Sequence, residues 1–238
     1  MDSKLSALYR QLYESHWWFR MRERWIMQYL RRTQPPDGWS PILDVGCGDA
    51  LFFDSLSEFG EVEGVETSRE IVDAANPHFH KIYIGPFESF RPEKQYPLVL
   101  LLDVLEHIPE PLQALRRCRA LLKTGGTLLV TVPAFKLLWT NHDLINHHIT
   151  RYRKATLFPL LLQAGFVIED SAYWFHWTFP VRLIERFIET LFRLKPAYPT
   201  IPGPSINRAL SLLCSIEHSA LGLLRIPFGT TLFVKCSK

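Results

Sequence analysis

The sequence lacks the cysteine spacing of a zinc ribbon or of a disulfide-rich secreted domain. Its four cysteines, Cys47, Cys118, Cys214 and Cys236, lie far apart and form no C-x-x-C pair. A chain without a disulfide framework belongs by default in a reducing compartment. We therefore expect a cytoplasmic protein.

Long apolar runs and an excess of one charge are also missing. No window of about 18 residues is free of charge, so we expect no transmembrane helix, and the first residues have no apolar signal-peptide core. Lys+Arg total 27 and Asp+Glu total 24, a formal net charge of +3 that gives no support for nucleic-acid binding. The length of 238 residues, with 47% hydrophobic and 21% charged residues, indicates one folded domain or one domain with an appendage.

Strand and helix patterns alternate along the first half of the chain. Strands are expected at 41–45, 61–66, 81–84, 98–102 and 127–132, with helices at 50–59, from 67 to about 75, and at 110–122. The segment 123–126 is expected to be a helix cap and turn. With further strands from about 165 and at 230–234, the pattern predicts a Rossmann-like, doubly wound α/β fold with a mostly parallel seven-stranded sheet.

The remaining helices are expected outside the sheet. One long helix is predicted at 3–33, and 134–150 reads as a long loop before a helix at 153–164. Amphipathic helices at 181–194 and 206–224 are expected to pair and cap the sheet. A homodimer interface or peripheral contact with a membrane remains open for them, although the mixed charges of the first helix weaken the membrane alternative.

These patterns divide the chain into four parts. They are an N-terminal helical part at 1–36, a sheet-forming core at 37–180, a helical cap at 181–226 and a closing strand at 227–238.

A glycine-containing turn joins the first strand to the next helix. Asp44-x-Gly46-x-Gly48 provides a backbone that a ligand can approach closely, next to free N–H groups at a helix start. Glu66 ends the following strand, where a carboxylate can accept both hydroxyls of a ribose. A tight turn without a ligand, with Asp44 as a helix cap, is the alternative.

The turn favours one nucleoside cofactor over another. The dinucleotide fingerprint has a third glycine where this chain has Leu51. The carboxylate of Asp44 would repel a pyrophosphate and suits a cationic ammonium or sulfonium. These residues therefore predict S-adenosyl-L-methionine and not NAD.

Four segments resemble motifs of the class I S-adenosylmethionine-dependent methyltransferases: 43–49, 65–66, 103–108 and 122–128. The resemblance covers about residues 41–170 and is closest to the ubiquinone-biosynthesis-like branch, of methyltransferase types 11, 12 and 23. His16-Trp17-Trp18-Phe19-x-x-Arg22 and His148-x-x-Arg151-Tyr152 are also similar to segments of that branch.

The resemblance implies a cofactor site. Asp44 and the backbone of Gly46 would hold the amino-acid end of the cofactor, and Glu66 would hold its ribose. The third strand is followed by Gly85-Pro86-Phe87-Glu88, which leaves the adenine to Phe87 or Glu88. The residues expected at the cofactor are Asp44, Gly46, Cys47, Gly48, Glu66, Thr67, Phe87, Asp103 and Val104.

The acceptor is expected at the same edge of the sheet. His107 follows the central strand and is the candidate general base, with a role in ordering the Asp103 loop as the alternative. His148 is the second candidate catalytic residue. A hydrogen-bonded Asp143–His148–Tyr152 cluster is expected to shape the acceptor pocket. The loop also contains His142 and His147, but its spacing does not fix a coordination geometry, so no metal is expected.

The first helix is expected to act as a lid. Trp18 and Arg22 are candidate substrate-binding residues, because Arg22 can pair with a carboxylate of cofactor or substrate, with a solvent-facing role as the alternative. The resulting prediction is an enzyme that methylates a small-molecule or lipid- or sugar-linked acceptor, at oxygen more than at carbon. An NAD-linked oxidoreductase and a non-catalytic nucleoside-binding module are the rivals.

Overall fold

A computed structural model of the protein describes residues 3–221, 224 and 226–238, with side chains for 9–220, 224 and 226–238. Residues 1, 2, 222, 223 and 225, which fall in the expected lid and cap, lie outside the described residues. The strands are β1 (Ile42–Val45), β2 (Val62–Glu66), β3 (Ile82–Ile84), β4 (Tyr96–Leu102), β5 (Leu122–Pro133), β6 (Val167–Trp174) and β7 (Thr231–Ser237).

These strands form one sheet in the order β3-β2-β1-β4-β5-β7-β6. The first five are parallel, and β7 runs antiparallel between β5 and β6. Neighbouring residues of β4 pack into different apolar clusters, Leu98 and Leu100 into one and Val99 and Leu101 into the other. The sheet is therefore covered on both faces, as its continuously apolar strands predict. The predicted Rossmann-like, seven-stranded sheet is confirmed.

Eight helices surround the sheet in the described part of the chain. They are α1 (Ser3–Ser15), α2 (Trp17–Thr33), α3 (Phe53–Leu56), α4 (Pro111–Leu121), α5 (Asn141–Ile145), α6 (Lys154–Gln163), α7 (Thr178–Phe192) and α8 (Pro204–Leu221). None of the described helices is both long and apolar enough to cross a membrane.

Some local expectations are wrong. The helix at 3–33 is broken at His16, which is extended and caps α2 by accepting a hydrogen bond from the backbone N–H of Trp18. The helix from 67 to about 75 is absent, and turns take its place. In that segment the backbone N–H of Asp73 donates to the Asp49 carboxylate and not to a carbonyl one helical turn back. The Asp49 side chain thus competes with helix formation.

Other boundaries also differ. The helix expected at 50–59 is reduced to α3 and one 3-10 turn, because Ala50 takes a left-handed φ of 55°. Residues 123–126, which were expected to form a turn, are part of β5 instead. The pairing of β5 with β4 shifts its register at this point, between Tyr96 and Leu98 of β4. The loop at 134–150 contains α5 and the short 3-10 helix Lys136–Leu138.

The two C-terminal helices do not form the predicted pair on the sheet. Helix α8 packs mainly against α2, and α7 lies against Lys136–Leu138. The two meet at the start of α7, where the Glu217 carboxylate accepts hydrogen bonds from the backbone N–H groups of His176 and Trp177. A carboxylate there satisfies N–H groups that the helix itself leaves free.

Parallel pairing brings three strand ends to one edge of the sheet. Val45 at the end of β1 lies opposite Val65 of β2 and Leu101 of β4. The residues that follow these strands are therefore neighbours, and this edge holds the candidate site.

Candidate active site

The turn after β1 is fixed by a close approach that only glycine permits. Gly46 has a φ of 75°, and a Cβ there would lie 2.4 Å from a methyl group of Val104. The backbone N–H of Gly48 donates to Glu66 Oε2 at 3.0 Å. The turn is thus held against the ends of both neighbouring strands.

Glu66 is aimed at the same turn. Its side chain is 7% exposed, and its Oε1 accepts from the backbone N–H of Ser68 at 2.9 Å and from the hydroxyl of Thr67 at 3.3 Å. Each carboxylate oxygen can accept two hydrogen bonds. With the bond from Gly48 to Oε2, three of the four acceptor positions are used, and Oε2 keeps capacity for one further hydrogen bond, such as that of a ribose hydroxyl.

Asp44 is a buried carboxyl at the end of β1. Burial raises its pKa to about 7, the positive charge of Arg22 opposes this rise, and the charge of Glu66 adds to it. A cation bound nearby would favour the ionised form. The site therefore has an unbalanced acidic character that suits a positively charged ligand.

Arg22 reaches the site from α2. Its Nη2 lies 2.6 Å from Asp103 Oδ2, and its guanidinium lies over the ring of Trp18. Its Nε has no hydrogen-bond partner among the described residues, although the side chain is 6% exposed. A buried donor left unpaired is costly. This free N–H suits a carboxylate such as the one at the amino-acid end of S-adenosylmethionine, so the residues present fit that cofactor.

The end of β4 adopts an unusual backbone. Asp103 has a φ of 56°, which is rare for residues other than glycine. Left-handed residues that the surrounding structure enforces concentrate at functional sites. Here the conformation sets the Asp103 carboxylate against Arg22 and the Val104 side chain against Gly46.

Two other candidate cofactor residues have side chains in the core. The thiol of Cys47 lies against Gly64, so the backbone of Cys47 is the part available to a ligand. Phe87 is 5% exposed, with the guanidinium of Arg117 over its ring, and Glu88 beside it is exposed.

Helix α1 crosses from the cofactor side to the acceptor side. Arg10 forms an ion pair with Asp49 in the turn after β1, and Tyr9 donates to the side chain of Asn146. The same arginine lies 3.5 Å from Asp73. Sequence reasoning missed these contacts, because the residues involved are far apart in the chain.

His107 and His148 meet edge to face on the acceptor side. Their ring centroids are 4.9 Å apart. Partial burial and the neighbouring His148 lower the pKa of His107 below 6.5. The His107 imidazole is therefore neutral at neutral pH, which is the form that can accept a proton.

Asp143 holds the segment that carries His148. It is fully buried, and its Oδ1 accepts from His148 Nδ1 at 2.8 Å and from Arg151 Nε at 2.7 Å. Burial alone would raise the pKa of Asp143, but the hydrogen bonds from His148 and Arg151 outweigh it and hold the pKa well below its ordinary value. A second bond runs from Arg151 Nη2 to Asp143 Oδ2 at 2.9 Å.

The expected cluster is corrected in one member. Tyr152 bonds the carbonyl of Leu105 at 3.2 Å and not Asp143 or His148. Arg151, which sequence reasoning left out, is the third member, and it also donates to the carbonyl of Ala134. The sequence did contain a signal for this exchange, because Arg151 directly precedes Tyr152. Adjacent side chains of an extended segment point in opposite directions, so the two residues face different sides.

Among the described residues, one group of side chains could hold a metal ion. The ligand atoms of Glu106, His107 and His148 lie within 4.8 Å of one another. Glu106 is 1% exposed, and its Oε2 has no partner among the described residues. The sequence had suggested a different set of possible metal ligands, which included Asp143. The Asp143 carboxylate faces the Arg151 guanidinium, whose positive charge would repel a metal cation.

The Asp143–Arg151 pair gives a test of stability. Asp143→Ala should lower the free energy of unfolding by about 3–5 kcal/mol, because it leaves a guanidinium buried without its partner. Urea unfolding measures this change. Glu185→Ala is the control, since its partner Arg182 is about a third exposed, and such pairs contribute about 1 kcal/mol or less. Equal losses in the two variants would contradict the structural role of Asp143.

The sheet topology, the glycine turn and the acidic strand ends define a Rossmann-like S-adenosyl-L-methionine-dependent methyltransferase. A family model described as "Methyltransferase domain" matches residues 17–171, and the chain belongs to that family.

Similar curated proteins have related names. The chain is 29% identical over 168 residues to a ubiquinone biosynthesis O-methyltransferase of Xanthomonas axonopodis, covering 60% of this chain and 69% of that protein. It is 33% identical over 97 residues to the enzyme of that name from Bradyrhizobium diazoefficiens, covering 38% of each. The match to the second relative thus spans well under half of that protein's length.

Solved structures share the fold. A possible histamine N-methyltransferase from Thermotoga maritima aligns with a TM-score of 0.61 at 16% identity, covering 99% of this chain and 97% of that one. A complex of the Haloferax volcanii Trm112 methyltransferase activator with a putative methyltransferase aligns with a TM-score of 0.60 at 15% identity. The alignment covers 98% of this chain and 94% of that one. At such identities the likeness shows the fold alone.

Proposed function

We propose that the protein transfers the methyl group of S-adenosylmethionine to a hydroxyl oxygen of a small-molecule or lipid- or sugar-linked acceptor. The observation that carries this proposal is the contact between His107 and His148 at the sheet edge, beside the Asp103 loop. A hydroxyl nucleophile benefits from a base, and a neutral imidazole is suited to that role. The names of the similar O-methyltransferases support the same chemistry.

The cofactor brings an already activated methyl group, so the protein must bind, align and exclude water. Glu66 would hold the ribose, Arg22 the carboxylate and Asp44 the positive charge of the amino-acid end. His107 would take the proton of the acceptor hydroxyl as the oxygen attacks the methyl carbon in line with the sulfur.

His148 would act as a positioning residue. Its Nδ1 lies 2.8 Å from Asp143 Oδ1, so the Asp143 carboxylate fixes the orientation of the imidazole ring. Because Asp143 is fixed by Arg151, the ring of His148 is held in place against His107. The pair would thus present a defined edge to the acceptor.

A divalent cation is a second candidate at this site, favoured by the spacing of Glu106, His107 and His148. A bound cation would lower the pKa of the acceptor hydroxyl in place of a base. The two roles are separated by measuring turnover after treatment with EDTA and after return of Mg²⁺, Mn²⁺ or Zn²⁺. Loss and recovery of activity would make His107 a ligand, and unchanged activity would leave it as the base.

Removing the ribose carboxylate tests the cofactor site. Glu66→Ala should weaken S-adenosylmethionine binding by about 1.5–3 kcal/mol, as for the loss of hydrogen bonds to a charged group. Isothermal titration calorimetry measures the affinity, and Glu93→Ala is the control, because Glu93 is exposed and lies before β4, away from the strand ends that form the site. Unchanged affinity in the Glu66 variant would remove it from ribose binding.

The pKa of Asp44 gives a pH test. Its ionised fraction falls as the pH drops through about 7, so a cationic cofactor should bind about tenfold more weakly at pH 6 than to the fully ionised site. Calorimetry across this range measures the effect. Asp44→Asn should bind the cofactor weakly, and its affinity should not change between about pH 6 and 7. A native-like pH profile in Asp44→Asn would show that another group titrates.

His107 gives a test of the chemical step. His107→Ala should reduce kcat by about 10²–10⁴-fold with little change in cofactor affinity. In the native enzyme, kcat should fall with acidification below pH 6.5, because protonation of His107 removes the base. The pH profile of kcat, measured with a hydroxyl acceptor that the native enzyme methylates, checks both points. Native turnover by His107→Ala would exclude the residue from proton transfer.

A further inference from the structure

Helix α7 is turned with its polar side towards the protein and its apolar side towards solvent. Arg182, Glu185, Arg186 and Glu189 are only partly exposed. The exposed apolar side chains are Val181 (49%), Ile184 (59%), Phe187 (65%), Ile188 (39%), Leu191 (60%) and Phe192 (66%). In a surface helix of a globular protein the opposite arrangement is the rule.

Hydrogen bonds hold this inverted orientation. Arg186 Nη1 donates to the carbonyls of Lys136 and Leu137 at 3.1 and 2.6 Å. Glu189 Oε2 accepts from the backbone N–H of Asn141 at 2.8 Å. The outward apolar face is therefore not the result of a loosely packed helix, because rotating it inward would break these bonds.

Further exposed apolar side chains follow α7 in the chain. Most of the exposed large apolar side chains among the described residues fall between Val181 and Phe228. On α8 they are Ile206, Leu212, Leu213 and Ile216. Contiguous exposed apolar surface marks a site of contact with a protein or a membrane. All of it lies outside the residues that the family model matches.

The charges around this surface select the partner. Residues 190–216 include Arg193, Lys195 and Arg208 and contain no acidic residue. The acidic groups of α7, which counted against a membrane in the sequence, are both paired: Glu189 accepts from the backbone N–H of Asn141, and Glu185 forms an ion pair with Arg182. A two-fold dimer would set the patch against itself, with basic residues that meet no acid. An anionic lipid surface supplies the missing negative charge and an apolar interior.

We propose that the outward faces of α7 and α8, together with the linker at 193–203, form a docking surface for an anionic phospholipid bilayer. Phe187 and Phe192 insert at the boundary of headgroups and acyl chains. Arg193, Lys195 and Arg208 contact the headgroups. The helices lie on the membrane and do not cross it.

The docking surface leads towards the acceptor side of the site. Exposed Leu137 is bonded through its carbonyl to Arg186 of α7, and exposed Ile149 donates its N–H to the carbonyl of Glu106 at 2.7 Å. The segment 137–149 thus runs from α7 to the histidine pair, and it would be the route of a lipid-borne acceptor. This last step rests on the proposed function, whereas membrane docking does not.

Flotation of the full-length protein with vesicles tests the proposal. The probes are phosphatidylcholine vesicles with and without phosphatidylglycerol, without cofactor or acceptor, so a failure of methyl transfer cannot affect the result. The native protein should bind the anionic vesicles, and added salt should weaken the binding because it screens the basic residues. Failure to bind anionic vesicles would overturn the proposal.

Variants locate the surface. Phe187→Ser/Phe192→Ser should reduce the partition coefficient by about 100-fold or more, since burying each phenylalanine contributes roughly tenfold or more. Arg193→Ser/Lys195→Ser should lose most of the preference for anionic vesicles. Leu162→Ser is the matched control, as Leu162 is 59% exposed on α6, and it should bind as the native protein does.

Thermal unfolding and sedimentation complete the test. Unchanged unfolding temperatures would show that the serine variants remain folded. If the double phenylalanine variant unfolds, vesicle binding is measured with the single variants Phe187→Ser and Phe192→Ser instead. Native binding by the phenylalanine variants would overturn the proposal. A dimer that the same substitutions dissociate, with no vesicle binding, would assign the surface to a second copy of the chain.

Discussion

The site depends on the in-register pairing of three parallel strands. Main-chain hydrogen bonds set Val45 of β1 level with Val65 of β2 and Leu101 of β4. The chain therefore leaves all three strands at one edge, and Gly46 must pass within contact of Val104. A side chain at Gly46 would force these strand ends apart. The same backbone constraint thus forms the cofactor turn and positions the residues that follow β4.

The charges at this edge explain which ligand the fold can accept. Asp44 and Glu66 are buried near one another, and Arg22, whose charge opposes the rise in the Asp44 pKa, is already paired with Asp103. A buried excess of carboxylates is unfavourable unless a cation compensates it. S-adenosylmethionine carries a sulfonium and an ammonium, and its carboxylate can use the free Nε of Arg22. The site is thus complementary to both ends of a zwitterionic amino-acid group.

Periodicity and turn chemistry predicted the parts that depend on local sequence. The seven strands, the glycine turn and the position of Glu66 at the end of β2 follow from residues close together in the chain. The absent helix after Thr67 could not be predicted in this way, because the Asp49 side chain binds the backbone of Asp73 across the turn. The exchange of Tyr152 for Arg151 depends on which way an extended segment faces, which hydrophobicity does not determine.

The orientation of α7 shows the same limit at a larger scale. Its sequence defines two faces but not which of them is buried. The neighbouring segment decides, because the carbonyls of Lys136 and Leu137 accept hydrogen bonds from Arg186 and the N–H of Asn141 donates to Glu189. Arg186 and Glu189 satisfy these groups only if the polar face turns inward, so the apolar face must find its partner outside the chain.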